Sequence, residues 1–161
     1  MKVGLYIGRF QPFHLGHLSV IKDALKQVDR IMIGLGSSQE GRTKKNPFTA
    51  KERSKMIKAA LKEAKISPRK YKLVLLKDIL ECDEVWVKYV LKKIGRFQIL
   101  WTGNPWMKRC FKDVKSVKLK NVKKEVDVSS TKIRRLLKGK GWERLVPKSV
   151  SKEIKRMKRF I

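Results

Sequence analysis

His14 and His17 are the only histidines in the chain, and they stand three residues apart on a glycine-containing turn, Gly8-Arg9-Phe10-Gln11-Pro12-Phe13-His14-Leu15-Gly16-His17. Imidazoles at that spacing project toward one place, and Gly8 and Gly16 let a ligand come close to the backbone. With the turn's backbone N–H groups they form a set of donors suited to phosphate oxygens. A second such set lies late in the chain, where Ser129-Ser130-Thr131 opens a helical stretch that carries Arg134 and Arg135 in its first turns. Cations near a helix N-terminus oppose the helix dipole unless an anion sits between them, so this segment is a second candidate phosphate site.

Both sets need elements to hold them. Val3-Gly4-Leu5-Tyr6-Ile7 reads as a short buried strand, and Leu18, Ile21, Leu25 and Val28 recur at helical spacing, so the histidine turn is a strand-to-helix connection. Such a turn is expected to offer free backbone N–H groups and the positive end of a helix dipole. Residues 30–36 form a second strand that ends in a Gly-Ser-Ser-Gln turn, placing Ser37 and Ser38 where they could meet a ligand. Residues 41–47 are basic and rich in breakers, and Thr49-Ala50-Lys51-Glu52 then makes a capping box ahead of the stripe Met56, Ile57, Ala60, Leu61 and Ala64.

Residues 72–76 give a third strand, and the chain's one acidic cluster follows from Asp78 to Glu84. A helix is expected from Val85 to Ile94, a fourth strand at 98–101, and a short helix at Pro105. Alternating apolar and basic residues over 116–128 predict a half-exposed fifth strand, and a last helix starts at Pro147. Strands alternating with helices in this way predict an α/β fold, a parallel five-stranded sheet flanked by helices on both faces, with ligands at the carboxyl ends of the strands.

A chain of 161 residues is expected to be one domain, residues 1–161 with a C-terminal helical segment from about 130, and its apolar fraction of 42% suffices for a core. The formal charge of +28 attracts phosphates, nucleotides and nucleic acid alike. It reads first as lysine-rich solvated helix faces and second as a source of weak, non-specific nucleic-acid binding. Cys82 and Cys110 form no Cys-x-x-Cys pair, so neither a zinc site nor a disulfide framework is indicated. The N-terminal apolar run is too short for a signal-peptide core, and no run approaches the ~20 apolar residues that span a bilayer. A soluble cytoplasmic protein without membrane partners is expected.

The histidine turn, Asn46-Pro47-Phe48-Thr49-Ala50-Lys51-Glu52-Arg53, Gly103-Asn104-Pro105 and Ser130-Thr131-Lys132-Ile133-Arg134 together resemble the archaeal nicotinamide-nucleotide adenylyltransferases. The resemblance runs over nearly the whole chain in order. The histidine turn and the Ser-Thr-x-x-Arg helix alone point only to the wider nucleotidyltransferase superfamily. It implies a Rossmann-like (HUP-type) fold and transfer of AMP from ATP to nicotinamide mononucleotide, giving NAD and pyrophosphate. Mg2+ would accompany ATP, no residue is singled out as a metal ligand, and the family's hexamers imply a homo-oligomer. By the family's pattern His14, His17 and Arg134 are catalytic, and ATP lies against Gly8, Arg9, Phe10, His14, Gly16, His17, Gly103, Ser130, Thr131, Ile133 and Arg134. The acceptor lies against Gln11, Ser37, Lys45, Trp86 and Asn104, with Trp86 stacked on the nicotinamide ring or, alternatively, packed in the core between Val85 and Val87. Arg53 reads as structural. The chain departs from the pattern at Ser130, where glycine is usual, at Asp83, where asparagine is common, and in an acidic loop one residue longer.

Overall fold

The computed structural model describes residues 1–80, 83–123 and 126–157; Cys82 and part of the acidic loop lie outside them. The strands are β1 (Val3–Gly8), β2 (Arg30–Leu35), β3 (Tyr71–Leu75), β4 (Ile99–Thr102) and β5 (Lys118–Asn121). The helices are α1 (Leu15–Ala24), α2 (Ala50–Glu63), α3 (Asp83–Ile94), α4 (Pro105–Phe111), α5 (Ser130–Leu136) and α6 (Lys148–Met157). The strands form one parallel sheet in the order β3-β2-β1-β4-β5. The order reverses beside β1, so the connections leaving β1 and β4 open a crevice at the carboxyl edge.

Period-two alternation divides the strand side chains between two cores. Tyr6, Ile31, Ile33, Leu35, Ile99 and Trp101 pack with α1, α2, α5 and α6, whereas Leu5, Ile7, Met32 and Leu100 pack with α3 and α4. The expected sheet with helices on both faces is therefore found. Local signals set several boundaries as anticipated. Thr49 caps α2, accepting from the Glu52 N–H, while Glu52 accepts from the Thr49 N–H. The α3 helix begins two residues earlier than its apolar period suggests, because Asp83 and Glu84 suit the positive end of its dipole.

The fifth strand is a correction. Its alternation extends over 116–128, but pairing is confined to Lys118–Asn121, because the partner strand β4 is itself only four residues long. Beyond Val122, whose N–H reaches the Thr102 carbonyl at 3.4 Å, the chain leaves the sheet toward α5. A helix cap supplied from afar was not visible in sequence: Glu63 of α2 accepts from the N–H groups of Lys148 and Ser149 and so fastens the start of α6.

Arg53, fully buried on α2, connects the sheet's carboxyl edge to that helix. A guanidinium has five N–H donors, and here every one is used, on the carbonyls of Thr49, Arg9, Gly36, Ser37 and Glu40. Three of these peptides adjoin strained residues, since Phe10 and Ser37 adopt positive φ of 51° and 47°. Each such residue costs on the order of 1 kcal/mol and persists only where its surroundings over-determine it. The structural role read for Arg53 fits this geometry. Replacing it with methionine should orphan several buried carbonyls and lower unfolding free energy by about 3–5 kcal/mol. Chemical denaturation measures this, and a loss below 1 kcal/mol would contradict the clamp.

Candidate active site

The histidine turn joins β1 to α1. His14 is the N-cap of α1, and its Nδ1 accepts from the backbone N–H groups of Gly16 and His17 at 3.1 and 3.3 Å. His17 Nδ1 accepts in return from the His14 N–H at 3.2 Å. The result is a capping box built from two imidazoles, stacked with centroids 3.5 Å apart and planes 19° from parallel. Gly16 makes this possible, because a Cβ there would lie 3.0 Å from His14 Cε1. The backbone N–H groups expected to be free at this turn are in part taken by His14. What the turn offers to a ligand is imidazole.

The hydrogen bonds also fix the protonation state. Each Nδ1 is an acceptor, so each neutral ring carries its proton on Nε2. Burial pushes the His14 pKa down to about 4. His17 is held well below the ordinary histidine value by burial and then by the neighbouring His14. Phe10 and Phe13 pack around His17, with centroids at 4.8 and 5.5 Å. At neutral pH the pair therefore presents two uncharged N–H donors.

The late segment meets this turn directly. Ser130 Oγ donates to the Pro12 carbonyl at 3.1 Å, and Arg134 donates to the Gln11 carbonyl at 2.9 Å and to Thr131 Oγ1 at 3.1 Å. Ser130 thus turns its hydroxyl onto the turn and ties α5 to it. The Arg134 guanidinium is shifted down by burial and then by Arg9, and Arg9 has the same effect on Arg53. Mutually repelling cations held at a crevice make an anion-attracting potential. Arg134 also borders a groove of about 620 Å³ with Arg42, Lys44, Arg135 and Lys138.

A cavity of about 450 Å³ opens at the carboxyl edge of β1 and β4. His17, Gly8 and Arg9 line one part of it, and Trp86, Trp106 and Met107 another; Ser37, Asp78, Gly103 and Asn104 complete the wall. Ser37 Oγ donates to Asp78 at 3.1 Å, and Gln39 Nε2 to the other carboxylate oxygen at 2.8 Å. Asn104 caps α4 through the Trp106 N–H at 3.0 Å. Trp86 is both core and wall, since it packs edge-on to Phe111 while bordering the cavity.

Nine expected residues lie outside the lining of this cavity: Phe10, Gln11, His14, Gly16, Lys45, Ser130, Thr131, Ile133 and Arg134. Gln11 is buried, and its carboxamide is spent on the Phe48 backbone, donating to the carbonyl at 2.8 Å and accepting from the N–H at 3.0 Å. Ile133 and Phe10 direct their side chains into the core. Lys45 stands exposed on the loop after β2, outside the cavity lining. Asp83 also lies outside the lining, bonded to the Trp106 indole. Sequence reasoning overlooked Trp106; its place directly after Asn104-Pro105, on a connection leaving the sheet edge, was the available signal.

A parallel sheet with phosphate-suited turns at its switch point defines a nucleotide-binding α/β protein. Residues 5–136 match the cytidylyltransferase-like family. Nicotinamide-nucleotide adenylyltransferases from Pyrococcus horikoshii and Saccharolobus solfataricus are 44% and 42% identical to the chain, covering 96% and 98% of it and 83% and 92% of their own lengths. The chain belongs to the cytidylyltransferase-like family and, within it, to the nicotinamide-nucleotide adenylyltransferases. The fold is shared with a bifunctional NMN adenylyltransferase/ADP ribose pyrophosphatase from Francisella tularensis, at a TM-score of 0.84 and 24% identity over 98% of this chain. This chain spans half of that protein's length.

The titration of His14 can be tested directly. A histidine with a depressed folded pKa destabilises the native state as pH falls below the unfolded value near 6.5, because the unfolded chain binds the proton more readily. Shifted to about 4, His14 should cost about 2 kcal/mol between pH 7 and pH 5. His14→Asn retains a capping oxygen but does not titrate, so its stability should fall less over that interval. Equal pH slopes for the two proteins in thermal unfolding would refute the assignment.

Proposed function

We propose that the chain transfers the adenylyl group of ATP to the 5′-phosphate of nicotinamide mononucleotide, giving NAD and pyrophosphate in the cytoplasm. The observation that carries this reading is the continuity of one cavity from His17, Gly8 and Arg9 to Trp86. A phosphate-handling end and an aromatic end in one space suit a ring-bearing nucleotide whose phosphate attacks another phosphate.

An oxygen of the acceptor phosphate bonds to the α-phosphorus of ATP, and the bond from that phosphorus to the bridging oxygen of pyrophosphate breaks. No covalent enzyme intermediate is required, so the chain contributes position and charge. The Nε2–H groups of His14 and His17 donate to phosphate oxygens as charge develops, and being neutral they leave the attacking phosphate ionised. Arg134 and Arg9 hold the β and γ groups and stabilise departing pyrophosphate. Ser130 and Thr131 bring α5 against this end, Gly8, Gly16 and Gly103 leave room for ATP, and Trp86 stacks on the cationic nicotinamide ring with Ser37 and Asn104 nearby. Lys45 supplies a point charge from the exposed loop after β2, outside the cavity lining.

No cluster of three or more His, Cys, Asp or Glu suited to a metal exists among the described residues, and both Asp78 oxygens accept from neighbours. A resident metal centre does not fit this donor set. Mg2+ is read as part of the ATP substrate, in keeping with its preference for water and phosphate oxygens. A solved structure of the Francisella protein is a complex with AMP and a manganese ion. The chain works as one nucleotidyltransferase domain in a homo-oligomer, a hexamer by family likeness, and its +28 charge gives only weak, salt-sensitive nucleic-acid binding.

Purified protein with ATP and Mg2+ should convert nicotinamide mononucleotide to NAD with equimolar pyrophosphate, and should leave FMN and phosphopantetheine unmodified. Turnover of either of those without NAD formation would overturn the reading. His17→Ala should lower kcat by roughly 10²- to 10⁴-fold while the circular dichroism spectrum is retained. Full activity in that variant would exclude His17 from the chemistry.

A further inference from the structure

Trp106 shares the cavity with Trp86, their ring centroids 4.7 Å apart and their planes inclined by 48°. At that separation the indoles touch. They make a corner, so a flat ring laid on Trp86 meets Trp106 at its side.

The second indole is fixed at both ends. Its backbone N–H donates to Asn104 Oδ1 at 3.0 Å, and its Nε1–H donates to Asp83 Oδ1 at 2.8 Å. Burial, and then the Asp83 carboxylate, push the pKa of the Cys110 thiol, four residues further along α4, up to about 11. One carboxylate at the start of α3 therefore holds the indole of α4. Asp83 holds the indole by its edge nitrogen, and the indole still lines the cavity. On the ionic side, Arg9 and Lys77 line the wall against the single carboxylate of Asp78, so its net charge does not favour a cationic ring. Selection of a ring thus falls to the indole faces, whose quadrupoles attract cations.

We propose that Trp106, positioned by Asp83, is a specificity-determining residue for the acceptor: a second aromatic wall that selects a planar, cationic ring over an uncharged one. This rests on the reading that the cavity receives nicotinamide mononucleotide.

The test compares nicotinamide mononucleotide with its reduced form, whose dihydropyridine ring is uncharged, in steady-state assays at saturating ATP. Trp106→Leu should raise the KM for the oxidised acceptor roughly five- to tenfold. Its kcat and the KM for ATP should stay near those of the unsubstituted protein, and its preference for the oxidised acceptor should fall by a similar factor. Asp83→Asn keeps an oxygen that accepts the indole N–H and should behave like the unsubstituted protein. Asp83→Ala should follow Trp106→Leu part of the way and add nothing on a Trp106→Leu background.

Unchanged KM and preference in an active Trp106→Leu protein would overturn this inference alone. So would a loss of thermal stability or kcat without a change in KM, which marks mere packing. If Trp106→Leu fails to fold, Trp106→Phe serves: it should keep the preference for the charged ring yet become insensitive to Asp83→Ala, and continued sensitivity would overturn the positioning role. Absence of NAD formation by the unsubstituted protein would instead sink the proposed function, and this inference with it.

Discussion

The site depends on one buried guanidinium. The five N–H groups of Arg53 gather carbonyls from the connection after β1, the connection after β2 and the first turn of α2. Three of these carbonyls, those of Arg9, Gly36 and Ser37, flank residues in left-handed backbone. Burying a charge is costly, and burial pushes this guanidinium down to about 10. The return is rigidity. Gly8 and Gly36 are held side by side, with the Gly36 N–H on the Gly8 carbonyl at 2.9 Å, and the cavity floor is built on that contact.

On this platform the histidines solve an electrostatic problem. Cationic imidazoles would bind phosphate more strongly at rest, but they would also repel Arg9 and Arg134 and could protonate an attacking phosphate. Stacking the rings and tying each Nδ1 to a backbone N–H leaves the proton of each neutral ring on Nε2. Positive charge comes instead from the arginines, which do not titrate near neutrality. Hydrogen-bond donation and charge are thereby divided between different side chains, and each can be placed separately.

How much of this was legible in the sequence depended on the range of the interaction. Thr49 and Glu52 cap a helix from three residues apart, so their signature is local and was readable. Alternation along β1 and β2 reports burial on two faces, which gave the parallel sheet and its helical layers. The length of β5 was not readable, since it is set by its partner β4 and not by its own pattern. Likewise Gln11 looks like a ligand-binding amide until Phe48 is brought beside it, and Glu63 looks like a surface acid until α6 docks. Histidines at a strand-to-helix turn announced phosphate chemistry, yet the ring of His14 occupies backbone donors that spacing alone left free. The Trp86–Trp106 corner needed α3 and α4 to be placed together, and nothing in either segment alone describes it.

The sheet remains open at both rims, and those rims differ from its interior in charge. Lys72 on β3 and Lys118 on β5 are exposed, and β5 offers only four residues for pairing. Lysines and short length on an edge discourage the addition of another strand. Copies of the chain are thus steered away from joining through a continuous sheet, and an assembly must be built from helical faces and loops. The carboxyl-edge crevice is in this way kept apart from the backbone groups most prone to unspecific association.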